Sequence, residues 1–175
     1  MKVAIVGGVP VVIADALDGR GGAWSSSGTV VFAPDLNVSS LAKVFPDAGR
    51  IEPATLLDHT QGENSHRWPA FLPDGVHLLY FVRSTADERR GVYAGSVDHT
   101  AAVPGVPLFQ SESEVVFAPP TSGRGPGNLL YVRNGRLEAR SFDADRLTLV
   151  GDARTLDVQA GGNTTYHSSM LSASA

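Results

Sequence analysis

Short apolar runs punctuated by glycine, proline and aspartate recur along the whole chain, and none has the spacing of an amphipathic helix. The clearest unit is Arg67-Trp68-Pro69-Ala70-Phe71-Leu72-Pro73-Asp74-Gly75, followed by Val76-His77-Leu78-Leu79-Tyr80-Phe81-Val82-Arg83. It predicts strand, tight turn, strand. Pro73 presets the φ of position i+1 of a type I turn, and Gly75 supplies the left-handed residue that closes a bulged hairpin. The run after the turn is dense in Leu, Tyr, Phe and Val, as a strand buried on both faces requires.

The same pattern occurs twice more. Arg20-Gly21-Gly22-Ala23-Trp24 leads through Ser25-Ser26-Ser27-Gly28 into Thr29-Val30-Val31-Phe32, with Arg20 and Trp24 in register with Arg67 and Phe71. A third copy pairs Glu114–Ala118 with Gly127-Asn128-Leu129-Leu130-Tyr131 across an inserted Gly/Pro-rich loop, Pro119–Pro126, of the kind expected to be mobile. Gly28 and Gly75 lie 47 residues apart, and Gly75 and Gly127 lie 52 apart.

Each copy is followed by a second predicted hairpin. Leu41–Phe45 turns at Asp47-Ala48-Gly49 into Pro53–Leu57. Val92–Val97 turns at Asp98-His99-Thr100 into Val103–Phe109, and Leu137–Phe142 turns around Asp143-Ala144-Asp145 into Ala153–Val158. Aspartate at the first turn position is type I chemistry. Four strands recurring at about 40–50 residues is the period of a β-propeller blade. The chain is therefore read as all-β: a propeller segment of about three four-stranded antiparallel blades, at 17–62, 63–110 and 111–160. Partial blades flank them, a hairpin turning at Gly7-Gly8 in 1–16 and a first strand in 161–175.

Composition agrees with this and narrows the function. The 19 glycines and 11 prolines are scattered, as many short strands with tight turns demand, and 42% hydrophobic with 18% charged residues is globular. A net charge of -4 offers no footprint for nucleic acid or an anionic membrane surface. With no cysteine there is neither a disulfide framework nor a thiolate ligand or nucleophile. No run of 18 apolar residues predicts a membrane span, and Met1–Gly8 does not read as a secretion signal. The compartment stays open.

Candidate chemistry is sparse. Val3–Val6 with Gly7-Gly8 resembles the start of a dinucleotide fingerprint, but Pro10 and Val11-Val12-Ile13 follow where a helix is needed. There is no G-x-S-x-G, and Ser25-Ser26-Ser27 are turn residues. His59, Glu63 and His66 are spaced for a metal only if helical, and the segment reads as a solvated polar inter-blade loop. Asn37-Val38-Ser39 and Asn163-Thr164-Thr165 match glycosylation acceptors and are assigned no role. No catalytic residue, cofactor or metal site is predicted.

Arg20 and Arg67 stand out because the repeat places both at or just before the start of a strand lining the central channel, where two guanidinium forks would hold an anionic group, or each would pair with a neighbouring blade's Asp or backbone carbonyl. His66 and Trp68 flank Arg67 and join the candidate binding set. Trp24 and Trp68 are expected in core or inter-blade packing, or as an anchor at an open edge.

Trp24-Ser-Ser-Ser-Gly28 and Phe71-Leu-Pro-Asp-Gly75 resemble the TolB-type propeller repeat. Ser65–Gly75, with Gly127–Arg133 and Ser141-Phe142-Asp143-Ala144-Asp145, is similar to the C-terminal propeller of bacterial serine/threonine protein kinases. The resemblance covers nearly the whole chain but departs at Ser26-Ser27 and at the inserted loop. No kinase motif is present, since Trp68 follows His66-Arg67 where a catalytic loop has Asp. It implies a non-enzymatic scaffold or sensor binding a protein or a small anionic ligand. The alternative it implies is an accessory propeller of a larger kinase or peptidase, extracytoplasmic if anchored to a membrane. Three blades leave sheet faces open, so completion by further blades or self-association is expected, with no direct membrane contact.

Overall fold

The computed structural model describes residues 1–35, 37, 39–45, 49–98, 105–163 and 165–173. The first sheet is β1 (Gly22–Trp24), β2 (Val30–Phe32), β3 (Ala42–Phe45) and β4 (Arg50–Pro53). The second is β5 (Glu63–Phe71), β6 (His77–Ser84), β7 (Gly91–Ser96) and β8 (Val106–Gln110). The third is β9 (Val116–Ala118), β10 (Gly127–Arg133), β11 (Arg136–Asp143) and β12 (Thr148–Gln159). A two-stranded pair, β13 (Gly162–Asn163) and β14 (Ser168–Ser169), follows. Each four-stranded sheet is an antiparallel meander in chain order, so the all-β arrangement of propeller blades read from the sequence is the fold.

The turn between β5 and β6 forms as its residues dictate. The Gly75 N–H donates to the Leu72 carbonyl (2.9 Å) with Gly75 at φ +70, and the Asp74 carboxylate accepts from the N–H groups of Val76 and His77, both at 2.9 Å. Strand β6 is buried on both faces. Leu78, Tyr80 and Val82 pack with Val31, Leu41 and Tyr93 on one side, while Leu79 packs with Val92, Leu129 and Phe142 on the other. The period of two thus makes β6 the common wall of both inter-sheet cores. Phe81, fully buried, contributes about 1.5–3 kcal/mol.

Several expectations are corrected. The segment expected as a solvated loop is a short 3-10 turn, His59–Gln61, leading into β5, and Glu63, Ser65 and His66 are buried. They tolerate burial because Glu63 and His66 satisfy one another. Trp24 is 60% exposed rather than packed, because β1 is a short edge strand whose Gly22 and Trp24 both face outward. The opening hairpin turns at Ala4–Gly7 and holds a single bridge, Lys2 to Val11, with most of its apolar side chains exposed. The tail folds back on itself as β13–β14 rather than running as one strand. Strand β12 begins at Thr148, earlier than expected, and is bulged. The expected turns at Asp47-Ala48-Gly49 and Asp98-His99-Thr100, and the start of the expected strand at Val103, fall wholly or partly outside the described residues.

Candidate functional site

The geometry around Arg67 begins with a bulge. Proline has no N–H for a ladder, and Pro69 sits where the pairing of β5 with β6 shifts register between Arg67 and Ala70. Trp68 takes φ +52 there, and its N–H donates to the Arg20 carbonyl (2.8 Å), which ties the first sheet's inner edge to the second's. A Cβ on Gly21 would lie 2.7 Å from the Trp68 ring, so glycine permits this approach.

Adjacent residues of β5 face opposite ways. His66 looks toward the first sheet, against the Tyr80 ring (5.0 Å between centroids). Its Nε2 lies 3.2 Å from Glu63 Oε2 and its Nδ1 2.8 Å from Thr55 Oγ1, which also accepts the Leu41 N–H at 2.9 Å. A neutral imidazole with the proton on Nε2 satisfies every partner: Leu41 donates to Thr55, Thr55 to Nδ1, and Nε2–H to Glu63. Arg89 adds an ion pair to Glu63 at 3.4 Å, and the Asp58 N–H donates to Glu63 at 2.9 Å. Burial alone would raise the Glu63 carboxyl, but the His66 and Asp58 hydrogen bonds and the Arg89 charge outweigh it and hold it below its ordinary value. Acid, imidazole and hydroxyl are in line, yet His66 is only 3% exposed in its side chain, and none of the three lines a cleft described here.

Arg67, 2% exposed, points the other way, its Nε donating to Ser65 Oγ at 2.8 Å. Burial, then the like charges of Arg83 and Arg20, lower its guanidinium to about 10; Asp18 acts in the opposite sense. Arg20 is the outer member. Its side chain is 13% exposed, paired with Asp18 at 2.6 Å and set 4.7 Å above the Tyr166 ring. Its Nε is buried with no hydrogen-bond partner among the described residues. The structure thus brings Arg20, Arg67 and Trp68 together and sends His66 elsewhere. It also places Arg67 beneath the surface rather than at it.

Sequence reasoning did not find the residues that cover this cluster. Tyr166–Ser169 lies across it. The Trp68 Nε1–H donates to the Tyr166 carbonyl (3.0 Å), and the Glu114 N–H donates to that of His167 (3.0 Å). His167 stacks on Phe81 at 4.7 Å with Nδ1 2.8 Å from the Glu112 carbonyl. Burial, then the charges of Arg67, Arg90 and Arg83, lower His167 below its ordinary value despite that hydrogen bond. Beside the segment, an axial cleft of about 250 Å³ is lined by Gly21, Trp68, Phe71, Glu114, Phe117 and Leu171 among others, drawn from the inner strands of all three sheets. A larger cleft of about 710 Å³ lies between the β5–β6 turn and the inserted loop, lined by Pro73, Asp74, Phe117, Pro120, Arg124 and Arg146 among others. Only the register of residues 20 and 67 hinted at the cluster; contacts across about 100 positions, Trp68 to Tyr166, leave no local signal.

Comparison with sequence-family models gives no match, and comparison with curated proteins gives none. Among solved structures the chain is similar to a Mycobacterium tuberculosis puromycin-hydrolyzing peptidase, at 16% identity and a TM-score of 0.54 over 82% of this chain. A luciferin-regenerating enzyme aligns at 11% identity and a TM-score of 0.40 over 81% of this chain. The chain spans 24% of the first protein's length and 61% of the second's. At these identities the first likeness concerns the fold alone.

Proposed function

We propose that this chain is a non-enzymatic propeller module that binds an anionic group, carried by a protein partner or a small ligand, at Arg20. The observation that carries this reading is the excess of cations: Arg83 and Arg20 both act as like charges on Arg67 with Asp18 opposing them, and a buried Arg20 N–H has no acceptor among the described residues. Guanidinium groups held together by the fold gain when an anion enters, because the repulsion already exists in its absence. Trp68 supplies an apolar wall. In isothermal titration with citrate as a carboxylate probe, Arg20→Gln is expected to weaken binding about tenfold or more with the melting temperature preserved. A change in melting temperature with citrate binding untouched overturns the reading.

A second reading is an accessory propeller of a larger enzyme, favoured by the likeness to a peptidase of which this chain spans 24%. The TolB-like repeat and the kinase resemblance belong to the same reading, in which the module gates a catalytic domain supplied in cis. An antibody against this chain separates the two: an endogenous band near 18.4 kDa supports the module alone, and a much larger band supports the enzyme.

A further inference from the structure

The axial cleft of about 250 Å³ differs from the arginine cluster near it in the charge it presents. Among its described lining residues Glu114 is the one charged side chain, and Arg20 and Arg67 are not among them. The rest of the lining is apolar, with Trp68, Phe71 and Phe117 contributing aromatic rings beside Val116 and Leu171. The Trp68 ring is fixed in place. Its Nε1–H donates to the Tyr166 carbonyl at 3.0 Å, and a Cβ on Gly21 would lie 2.7 Å from it.

Glu114 is half-buried, and its N–H donates to the His167 carbonyl at 3.0 Å. Its Oε1 accepts from the Ser169 N–H at 2.8 Å and from the Ser169 hydroxyl at 3.4 Å. Its Oε2 has no partner among the described residues. Burial raises the Glu114 carboxyl above its ordinary value despite the two Ser169 hydrogen bonds, and no arginine is among the groups that act on it. A carboxylate so placed has given up hydration without meeting a counter-charge, and a cation entering the cleft supplies one.

Size and lining narrow that cation. The cleft lies below the roughly 300–1,000 Å³ of drug-sized sites, which suits a ligand of few heavy atoms. Metal ions such as calcium take about 6–8 oxygen ligands, and a primary ammonium has three N–H donors to satisfy. The described side chains offer one carboxylate. A quaternary ammonium needs no hydrogen-bond acceptor, and aromatic rings attract its charge through their quadrupoles.

We infer that the axial cleft binds a small quaternary ammonium cation, with Glu114 as its counter-charge and Trp68, Phe71 and Phe117 as its aromatic lining. This site goes beyond the anion reading, which rests on Arg20, and the two stand or fall separately.

The test is isothermal titration of the full chain with choline at neutral pH and constant ionic strength. Saturable binding is expected. The uncharged isostere, in which a quaternary carbon replaces the choline nitrogen, is expected to bind on the order of tenfold more weakly or not at all. Glu114→Gln keeps an amide oxygen for Ser169 but removes the charge, and is expected to weaken choline binding about tenfold or more. Phe71→Leu keeps apolar bulk but removes a ring, and is expected to weaken it about two- to fivefold. Melting temperatures near that of wild type show that the variants are folded, and the isostere comparison, made on wild type, holds whether or not they are. Absence of saturable choline binding, equal binding of the isostere, or unchanged binding in folded Glu114→Gln overturns the proposal. Butylammonium binding more tightly than choline assigns the cleft to primary amines and overturns the quaternary cation. Choline binding that survives Arg20→Gln, in a protein that has lost citrate binding, supports this site, whereas its loss in that variant ties it to the arginine cluster and overturns it.

Discussion

The two faces of β5 carry neighbouring residues, His66 and Arg67, both large, polar and buried, and they solve the problem of burial in opposite ways. On the His66 face, every donor meets an acceptor in a chain that runs from the Leu41 amide through Thr55 and His66 to Glu63, whose carboxylate is met by Arg89. On the Arg67 face, burial first and then the like charges of Arg83 and Arg20 depress the guanidinium to about 10, while its Nε donates to Ser65. A satisfied network is costly to break and gains nothing from a ligand. A cluster of like charges is costly to keep and gains when an anion arrives. One face therefore fastens the first sheet to the second, and the other is where binding is proposed.

The comparison can be broken from the structural side first. Glu63→Ala removes the acceptor of His66, Asp58 and Arg89, and is expected to cost about 3 kcal/mol in urea unfolding, because it strands buried partners. Thr55→Val keeps the shape but leaves the Leu41 amide and His66 Nδ1 unmet, at a cost of about 1–2 kcal/mol. Arg67→Met sharpens the contrast: it removes a buried guanidinium and its hydrogen bond to Ser65, and is expected to cost about 1 kcal/mol while citrate binding weakens. A loss as large as that of Glu63→Ala would make the Arg67 face structural as well.

Acid separates the faces further. The Glu63 carboxyl lies below its ordinary 4.5, so the stability it contributes is present above that value and is lost as pH falls through the lower native one. His167 lies below its ordinary 6.5 when docked, so its contribution is full above 6.5 and fades as pH falls beneath it. Amide exchange at Tyr166–Ser169 should therefore quicken at a pH where urea unfolding of the whole chain is still unchanged.

Much of the fold could be read from residues alone, for reasons visible in the turn at Leu72–Gly75. Proline, aspartate and glycine at fixed offsets act locally, and the dense apolar run of β6 announces burial on both faces. The identity of what is buried could not be read. Glu63 and His66 look like loop residues because their polarity is cancelled by Thr55 and Arg89, which no short-range pattern links to them. Trp24 looks like core by its size, yet lies on a three-residue edge strand. Arg20 and Arg67 were found by repeat register, which gives equivalence of position but not depth. The structure puts Arg67 beneath the surface and leaves Arg20 partly exposed.

The central claim is that the Arg67 face of β5 responds to an anion and the His66 face does not. It is tested most directly by following the arginine side-chain Nε–H resonances and the His66 ring of the full chain while citrate is added. The account predicts saturable shifts at Arg20 and Arg67, abolished by Arg20→Gln, with His66 unmoved. Shifts that follow ionic strength alone, or that appear equally at His66, would contradict it.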